Sequence, residues 1–281
     1  MSQTRPDQTQ DAAATDRLQL LDRALELVLP IYKAPGQALW RAFELVKVWE
    51  LRDRVGYPGP VLEIGCADGI FSALVFDRVA DGIDINARMV ERARQRPHIY
   101  DRMHVMDARN MRFETGSFRT VFANCVIEHI PSLEGVLRDS FRVLESGGRF
   151  VATVPLLEMN NHLLLRGDWY ASLRRRQLFH ENLLSSEQWR DLFTRCGFTR
   201  IEVHPYLMGV HCEAWDRLDA PICIGIGGRY NVGAVIRYGG RLLPSAVRDR
   251  ISARTLARLR RIVRREGDVS PCAAAIVAWK E

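Results

Sequence analysis

The sequence predicts an α/β protein: a seven-stranded, mostly parallel sheet with helices on both faces, preceded by a helical cap and interrupted by two lid insertions. Two observations carry this expectation. Between residues 58 and 155 short β-like runs alternate with helical ones, the pattern of parallel strands joined by right-handed crossovers. The first run, VLEI at 61–64, leads straight into a turn of small residues, Gly65, Ala67 and Gly69, as a buried strand does before the helix that follows it. Composition agrees. With 47% apolar and 26% charged residues over 281 positions the chain can bury one large core or two small ones, which excludes collagenous, coiled-coil and wholly disordered classes.

In chain order, residues 1–16 are rich in Gln, Thr, Asp and Ala and read as a disordered tail. Residues 17–57 form the helical cap, with helices over 18–29 and 37–55. In the second, Leu39, Phe43 and Val46 recur at i, i+4 and i+7, and Pro58-Gly59-Pro60 stops the pattern. The core occupies 58–155, with strands at 61–64, 82–85, 104–106, 120–125 and 149–154 and helices at 71–77, 87–94 and 133–144. After Pro155 the rhythm breaks, and 156–184, rich in Leu, Arg, His and aromatic residues, is the first lid insertion. The core resumes over 185–204. A serine N-cap in Ser185-Ser186-Glu187-Gln188 opens a helix at 187–196, Gly197 closes it, and 199–204 alternates as a strand does. Residues 205–271 are a second, arginine-rich insertion, and AAAIVAW at 273–279, within 272–281, is the last strand, returning antiparallel. Both insertions leave the carboxyl edge of the sheet and are expected to cover one mouth.

Charge is uneven. Residues 237–265 hold ten arginines against Asp249, a local balance of +9 in a chain whose total is +6, so the remainder carries −3. A basic surface spread over the whole protein is therefore not expected, the cluster lacks interleaved aromatic residues, and nucleic acid is not an expected partner. Within the cluster Leu256, Leu259 and Val263 share one helical face and Arg254, Arg258, Arg261 and Arg265 the other. This pattern suits a helix packed on its own domain, or a peripheral membrane contact through 237–265. Beside it, the apolar, glycine-broken stretch 221–236 favours an amphiphilic partner. No run of about 18 apolar residues is present, the N-terminus has no apolar export segment, and six cysteines occur without a C-x-x-C pair. The expectation is a cytoplasmic protein with no metal site.

The turn at 63–69 reads E-x-G-x-A-x-G, with Glu63, Gly65, Ala67 and Gly69. A dinucleotide turn asks for a further glycine where this chain has Ile70. Glu63 and Asp68 suit a cation better than a pyrophosphate, which prefers bare amides at a helix N-terminus. Gly82-Ile83-Asp84-Ile85-Asn86 closes the second strand on an acid, and a carboxylate there can accept both hydroxyls of a ribose. Met106-Asp107-Ala108, Asn124-Cys125-Val126-Ile127-Glu128-His129-Ile130 and Glu145-Ser146-Gly147-Gly148 follow in order.

These segments together resemble the class I S-adenosylmethionine-dependent methyltransferases of the small-molecule, type 11-like kind. The resemblance covers 58–155 well and 186–204 and 272–280 loosely, and Ala67 departs from the usual middle glycine. It implies a Rossmann-like fold and S-adenosyl-L-methionine as cofactor. It assigns cofactor contacts to Glu63, Gly65, Ala67, Gly69, Asp84, Ile85, Asp107, Ala108 and Asn124, the ribose to Asp84 and the adenine amino group to Asp107.

Methyl transfer from a sulfonium needs proximity and alignment, and a general base only for a poor nucleophile such as an alcohol. The Asn-Pro-Pro-Tyr-like clamp that accompanies planar amine acceptors is absent, since Asn124-Cys125-Val126-Ile127 stands in its place. O-methylation of a small-molecule or lipid-like acceptor, of a secondary metabolite for example, is the expectation. His129 is the first candidate base and His180 the second, with Glu158, His162, Tyr170 and Glu181 as an acceptor wall. A nicotinamide-dependent oxidoreductase and a non-catalytic, membrane-associated cofactor-binding module remain alternatives.

Overall fold

Strand β1 (Val61–Ile64) is buried along its whole length, and that is why its residues are apolar on both faces apart from Glu63. It pairs in parallel with β2 (Val79–Asp84) on one side and β4 (Phe118–Asn124) on the other, so chain order reverses at β1. With β3 (Tyr100–Val105), β5 (Leu144–Pro155), β6 (Arg200–Met208) and the final strand β9 (Pro271–Trp279), the sheet has the order β3-β2-β1-β4-β5-β9-β6. Strand β9 lies antiparallel between β5 and β6, as its position in the sequence predicts. The computed structural model describes residues 8–95, 99–223, 225–226, 230–231, 233 and 243–281.

The chain divides into two compact units, one from Lys47–Met208 with Ser270–Glu281, the other from the stretch up to Val46 with Gly209–Val269. The first holds the sheet. On one face α4 (Leu133–Val143) and α6 (Ser186–Arg195) pack Val136, Leu137, Trp189 and Phe193 against Ile64, Val121, Phe150 and Ile276. On the other, Tyr57, Phe76 and Phe122 meet ring to ring at 5.1–6.2 Å. Helix α3 (Ala87–Arg94) is capped by Asn86, whose side chain accepts from Arg88 N–H. Helix α6 starts with the expected serine at Ser185, in a capping box closed by Gln188.

Several boundaries differ from the sequence reading. Of the helix expected over 71–77 only a 3-10 turn, Ser72–Leu74, forms. The carbonyls of Leu74 and Val75 are taken by Trp49 Nε1 at 2.8 Å and Arg52 at 3.0 Å, which are partners a continuing helix would have used. The first insertion is less irregular than expected: a 3-10 helix at Leu157–His162 is followed by α5 (Asp168–Gln177).

In the second unit α1 (Gln8–Tyr32) begins inside the segment read as a tail, where Ala12-Ala13-Ala14 are the strongest helix formers available. Its Leu21, Ala24, Leu25 and Val28 are buried. Helix α2 (Pro35–Val55) runs from this unit into the sheet unit. Helix α7 (Gly209–Asp219) sets Trp215 against Trp40 with ring centroids 5.0 Å apart, and His211 against Phe43 at 4.6 Å. A short pairing of β7 (Gly225–Ile226) with β8 (Tyr230–Asn231) follows. Helix α8 (Ser245–Val263) buries Leu259, Ile262 and Val263. Arg260 and Arg264 pair with Glu26 and Asp22 of α1. The predicted apolar and polar faces of α8 are thus realised in its last turns, with Leu256 half-buried. Half of the apolar stretch 221–236, and Arg237 and Arg241 with it, lies outside the described residues.

Candidate functional site

Register places the candidate residues on one edge. Ile64 pairs with Ile83 and Ala123, and Ala123 with Ala152, so the next residues along, Gly65, Asp84, Asn124 and Thr153, all stand at the carboxyl edge beside the order reversal at β1. That crevice is where open α/β sheets bind ligands.

The turn after β1 is made by backbone geometry. Gly65, Ala67 and Gly69 have φ of 70°, 46° and 72°. A Cβ on Gly65 would lie 2.4 Å from Val126 Cγ2, and one on Gly69 2.9 Å from Tyr100 Cε2, so neither position admits a larger residue without movement. Ala67 adopts the left-handed conformation at some cost, held there because its N–H donates to Asp84 Oδ2 at 2.9 Å. The other oxygen, Oδ1, accepts from Asn86 N–H at 2.7 Å. Each Asp84 oxygen therefore receives one backbone donor and keeps acceptor capacity for another. Ile85 follows, 70% exposed, an apolar side chain presented at the same edge.

Behind the turn lies a cluster that local sequence patterns did not reveal. Glu63 is buried and accepts from Tyr100 Oη at 2.6 Å and from Ser72 Oγ. Burial outweighs those hydrogen bonds and pushes its pKa up to about 7. The Tyr100 ring fills the space left by Gly69 and Gly82, 2.9 Å from where either Cβ would stand. Burial, then the neighbouring Glu63, raises the Tyr100 hydroxyl well above its ordinary range. Glu63 therefore braces the turn from behind, through the hydroxyl groups of Ser72 and Tyr100.

At the far side of the crevice Asp107 accepts from Arg109, through its guanidinium at 2.6–3.0 Å and its backbone N–H at 2.9 Å. Arg109 holds this carboxyl below the usual range. Ala108 is buried in the core with Met111. Asn124 Oδ1 accepts from Thr153 Oγ1 at 3.0 Å, and the same Thr153 oxygen accepts from Cys125 N–H.

The chain leaving β4 makes a 3-10 turn, Ile127–His129, that is tied to the first insertion. Glu181 and Asn182 donate backbone N–H groups to the Glu128 carbonyl at 2.8 and 2.9 Å, and Asn182 Nδ2 donates to the carbonyls of Ile127 and Ile130. His129 Nδ1 lies 2.9 Å from the Phe179 carbonyl. A carbonyl only accepts, so Nδ1 carries a proton, and Nε2, 3.7 Å from Glu128 Oε1, is the nitrogen left to exchange one. The His180 ring stands 5.5 Å from that of His129, and burial, followed by the charges of His129, Arg174 and Arg175, lowers its pKa to about 4. The two candidate histidines are thus brought together, while Glu158 lies half-buried in the 3-10 helix and His162 and Tyr170 are buried. A separate cavity of about 400 Å³ between α4 and α6, lined by Glu134, Asp191 and Arg195 among others, includes none of the predicted site residues. Among the described residues no cluster of His, Cys, Asp and Glu could hold a metal ion.

A family model described as a methyltransferase domain matches residues 32–203, more than half of the chain. The chain belongs to the class I S-adenosylmethionine-dependent methyltransferases. The methyltransferase is 31% identical over 134 residues to malonyl-[acyl-carrier protein] O-methyltransferase of Legionella pneumophila, covering 46% of this chain and 44% of that protein. It is 34% identical over 99 residues to phosphatidylethanolamine N-methyltransferase of Cereibacter sphaeroides, covering 33% and 49%. The matches thus span less than half the length of these curated relatives. Among solved structures, phosphoethanolamine N-methyltransferase 2 of Haemonchus contortus, with S-adenosylhomocysteine bound, superposes with a TM-score of 0.54 at 19% identity, over 94% of this chain and 59% of that one. The nicotinamide and non-catalytic alternatives fall with this membership. The donor set fits the cofactor, S-adenosylmethionine. Asp84 is held at the carboxyl edge by two backbone donors with acceptor capacity to spare, and the exposed Ile85 offers an apolar surface beside it.

Proposed function

We propose that this methyltransferase methylates an oxygen of a small-molecule or amphiphilic acceptor, with His129 as general base. The observation that carries the reading is the bond from His129 Nδ1 to the Phe179 carbonyl, which leaves Nε2 as the proton acceptor on the loop beside the cofactor edge. His180, kept neutral by a pKa of about 4, adds no competing positive charge beside it at neutral pH.

In this proposal Asp84 accepts the ribose hydroxyls, Gly65, Ala67 and Gly69 let the cofactor approach the backbone, Ile85 gives the adenine an apolar face, and Asn124 stands by the amino-acid end. Glu63 acts from behind the turn. Asp107 and Ala108 frame the adenine edge, where Asp107 must share its acceptor sites with Arg109. When bound, S-adenosylmethionine supplies an electrophilic methyl carbon on a sulfonium, and the protein's task is to align the acceptor oxygen and take its proton. The O-methyltransferase and phospholipid N-methyltransferase relatives support an acyl or lipid-like acceptor without fixing which.

We place the enzyme in the cytoplasm. No described helix is long and apolar enough to cross a membrane. Of the arginines in 237–265, Arg248, Arg250, Arg254, Arg258, Arg261 and Arg265 are exposed, whereas Arg260 and Arg264 are paired with α1 within their own unit. The test is transfer of labelled methyl groups to a panel of alcohol, phenol and phospholipid acceptors. Label on oxygen, with turnover lowered about a hundredfold or more by His129→Ala and donor affinity kept within about twofold, is the expected result. Label on nitrogen, or unchanged turnover in the variant, would overturn it.

A further inference from the structure

The apolar side chains that the sheet unit leaves in water are concentrated in one place. Of its exposed large hydrophobic residues, Ile85, Val105, Leu157, Leu165, Trp169 and Phe179, the last four fall in the first insertion, with Trp169 62% and Phe179 76% exposed. Trp169 and Phe179 mark the two ends of α5, a helix of 10 residues and so about 15 Å long. Tyr170 and Arg174 form its buried side, while Trp169, Ser172 and Arg176, at i, i+3 and i+7, share the outward one and are exposed. Residues 163–180 carry four arginines against Asp168, a balance of +3, and Arg166, Arg175 and Arg176 are exposed. Phe179 holds φ at 56°, an uncommon conformation for a bulky residue, in order to present its ring outward while its carbonyl accepts from His129.

Bare Trp, Phe and Leu side chains interleaved with arginines are complementary to the headgroup layer of an anionic bilayer, where aromatic rings sit among the headgroups and guanidinium groups meet phosphates. We propose that α5 with its flanks, Leu165 to Phe179, docks the enzyme on an anionic membrane surface. The segment that meets the lipid is then the one that positions His129, so an acceptor drawn from the membrane arrives beside the candidate base. The docking itself is separate from the α8 arginines. It rests on the amphiphile reading only for that last step.

The test is co-sedimentation of the full-length protein with phosphatidylcholine vesicles that contain or lack phosphatidylglycerol, with neither methyl donor nor soluble acceptor present, so that a failed methyl-transfer assignment does not affect it. Wild type should bind the anionic vesicles at least about tenfold more tightly than the neutral ones. Trp169→Ser should weaken binding about fivefold or more, and Arg166→Ser with Arg176→Ser about twenty-five-fold, at about fivefold per arginine. All three positions are exposed, and melting curves check that the variants fold. Arg254→Ser with Arg258→Ser on α8 should change binding less than twofold. Absence of wild-type binding to anionic vesicles would overturn the proposal. So would full binding by the Trp169 and Arg166/Arg176 variants, and if the α8 variant alone lost binding the contact would belong to α8.

Discussion

Replacing Glu63 by Gln should remove a pH dependence from the stability of the enzyme. The side chain is 3% exposed, and burial lifts its pKa from 4.5 to about 7 against the pull of the Ser72 and Tyr100 hydroxyls. A raised carboxyl pKa means that the folded chain holds the proton more tightly than the unfolded chain does. Stability must then fall as pH rises from about 4.5, where the unfolded side chain ionises, to about 7, where the folded one does. At about 1.4 kcal/mol per unit this interval is worth on the order of 3 kcal/mol. Glutamine offers Ser72 and Tyr100 one acceptor and one donor group, much as the neutral carboxyl does, and cannot ionise. At pH 5 the two proteins should be near equal. By pH 8 only wild type buries the charge, and Glu63→Gln should have gained about 3 kcal/mol relative to it, roughly 6–12 °C in melting temperature for a unit of this size. Thermal or urea unfolding of both proteins from pH 5 to 8 measures the difference. A difference that stays constant over that range would refute the buried, titrating carboxylate.

Two further predictions concern the framework around the site. Gly65→Ala forces a Cβ to within 2.4 Å of Val126 Cγ2 at a φ of 70°, and should cost about 2–4 kcal/mol in unfolding experiments. Adding Val126→Ala should recover the steric part but not the backbone part, and no recovery would mean the clash was misjudged. Arg264→Ala removes the exposed pair with Asp22. It should lower the stability of its unit by less than about 1 kcal/mol, an effect that vanishes at high salt. A larger or salt-independent loss would point to packing instead.

Much of the sheet was legible because its central strands, β1, β4, β9 and the second half of β5, are buried and declare themselves as largely apolar runs, whereas the edge strand β3 is exposed at half its positions. The turn at 65–69 was legible because close backbone approach demands small residues. What escaped depends on contacts between distant positions. Tyr100 reaches Glu63 across 37 residues, and its ring explains why Gly69 and Gly82 carry no side chain. The pattern around 71–77 looked helical, but Trp49 and Arg52 claim its carbonyls from another element. Likewise α1 and α8, whose ion pairs join residues 234 and 242 positions apart, form one unit that no local period could announce. At the candidate site the types and edge positions of Asp84, Asn124 and His129 were readable. The tautomer of His129 was not, since it is set by the Phe179 carbonyl 50 residues on.

The central claim is that the crevice between β1 and β2 holds the methyl donor through Asp84. Isothermal titration of S-adenosylhomocysteine into wild type and Asp84→Ala addresses it directly. Loss of two charge-assisted hydrogen bonds, each worth about 1.5–3 kcal/mol, should weaken binding by roughly a hundredfold or more. A folded Asp84→Ala protein that bound the ligand within twofold of wild type would contradict the account.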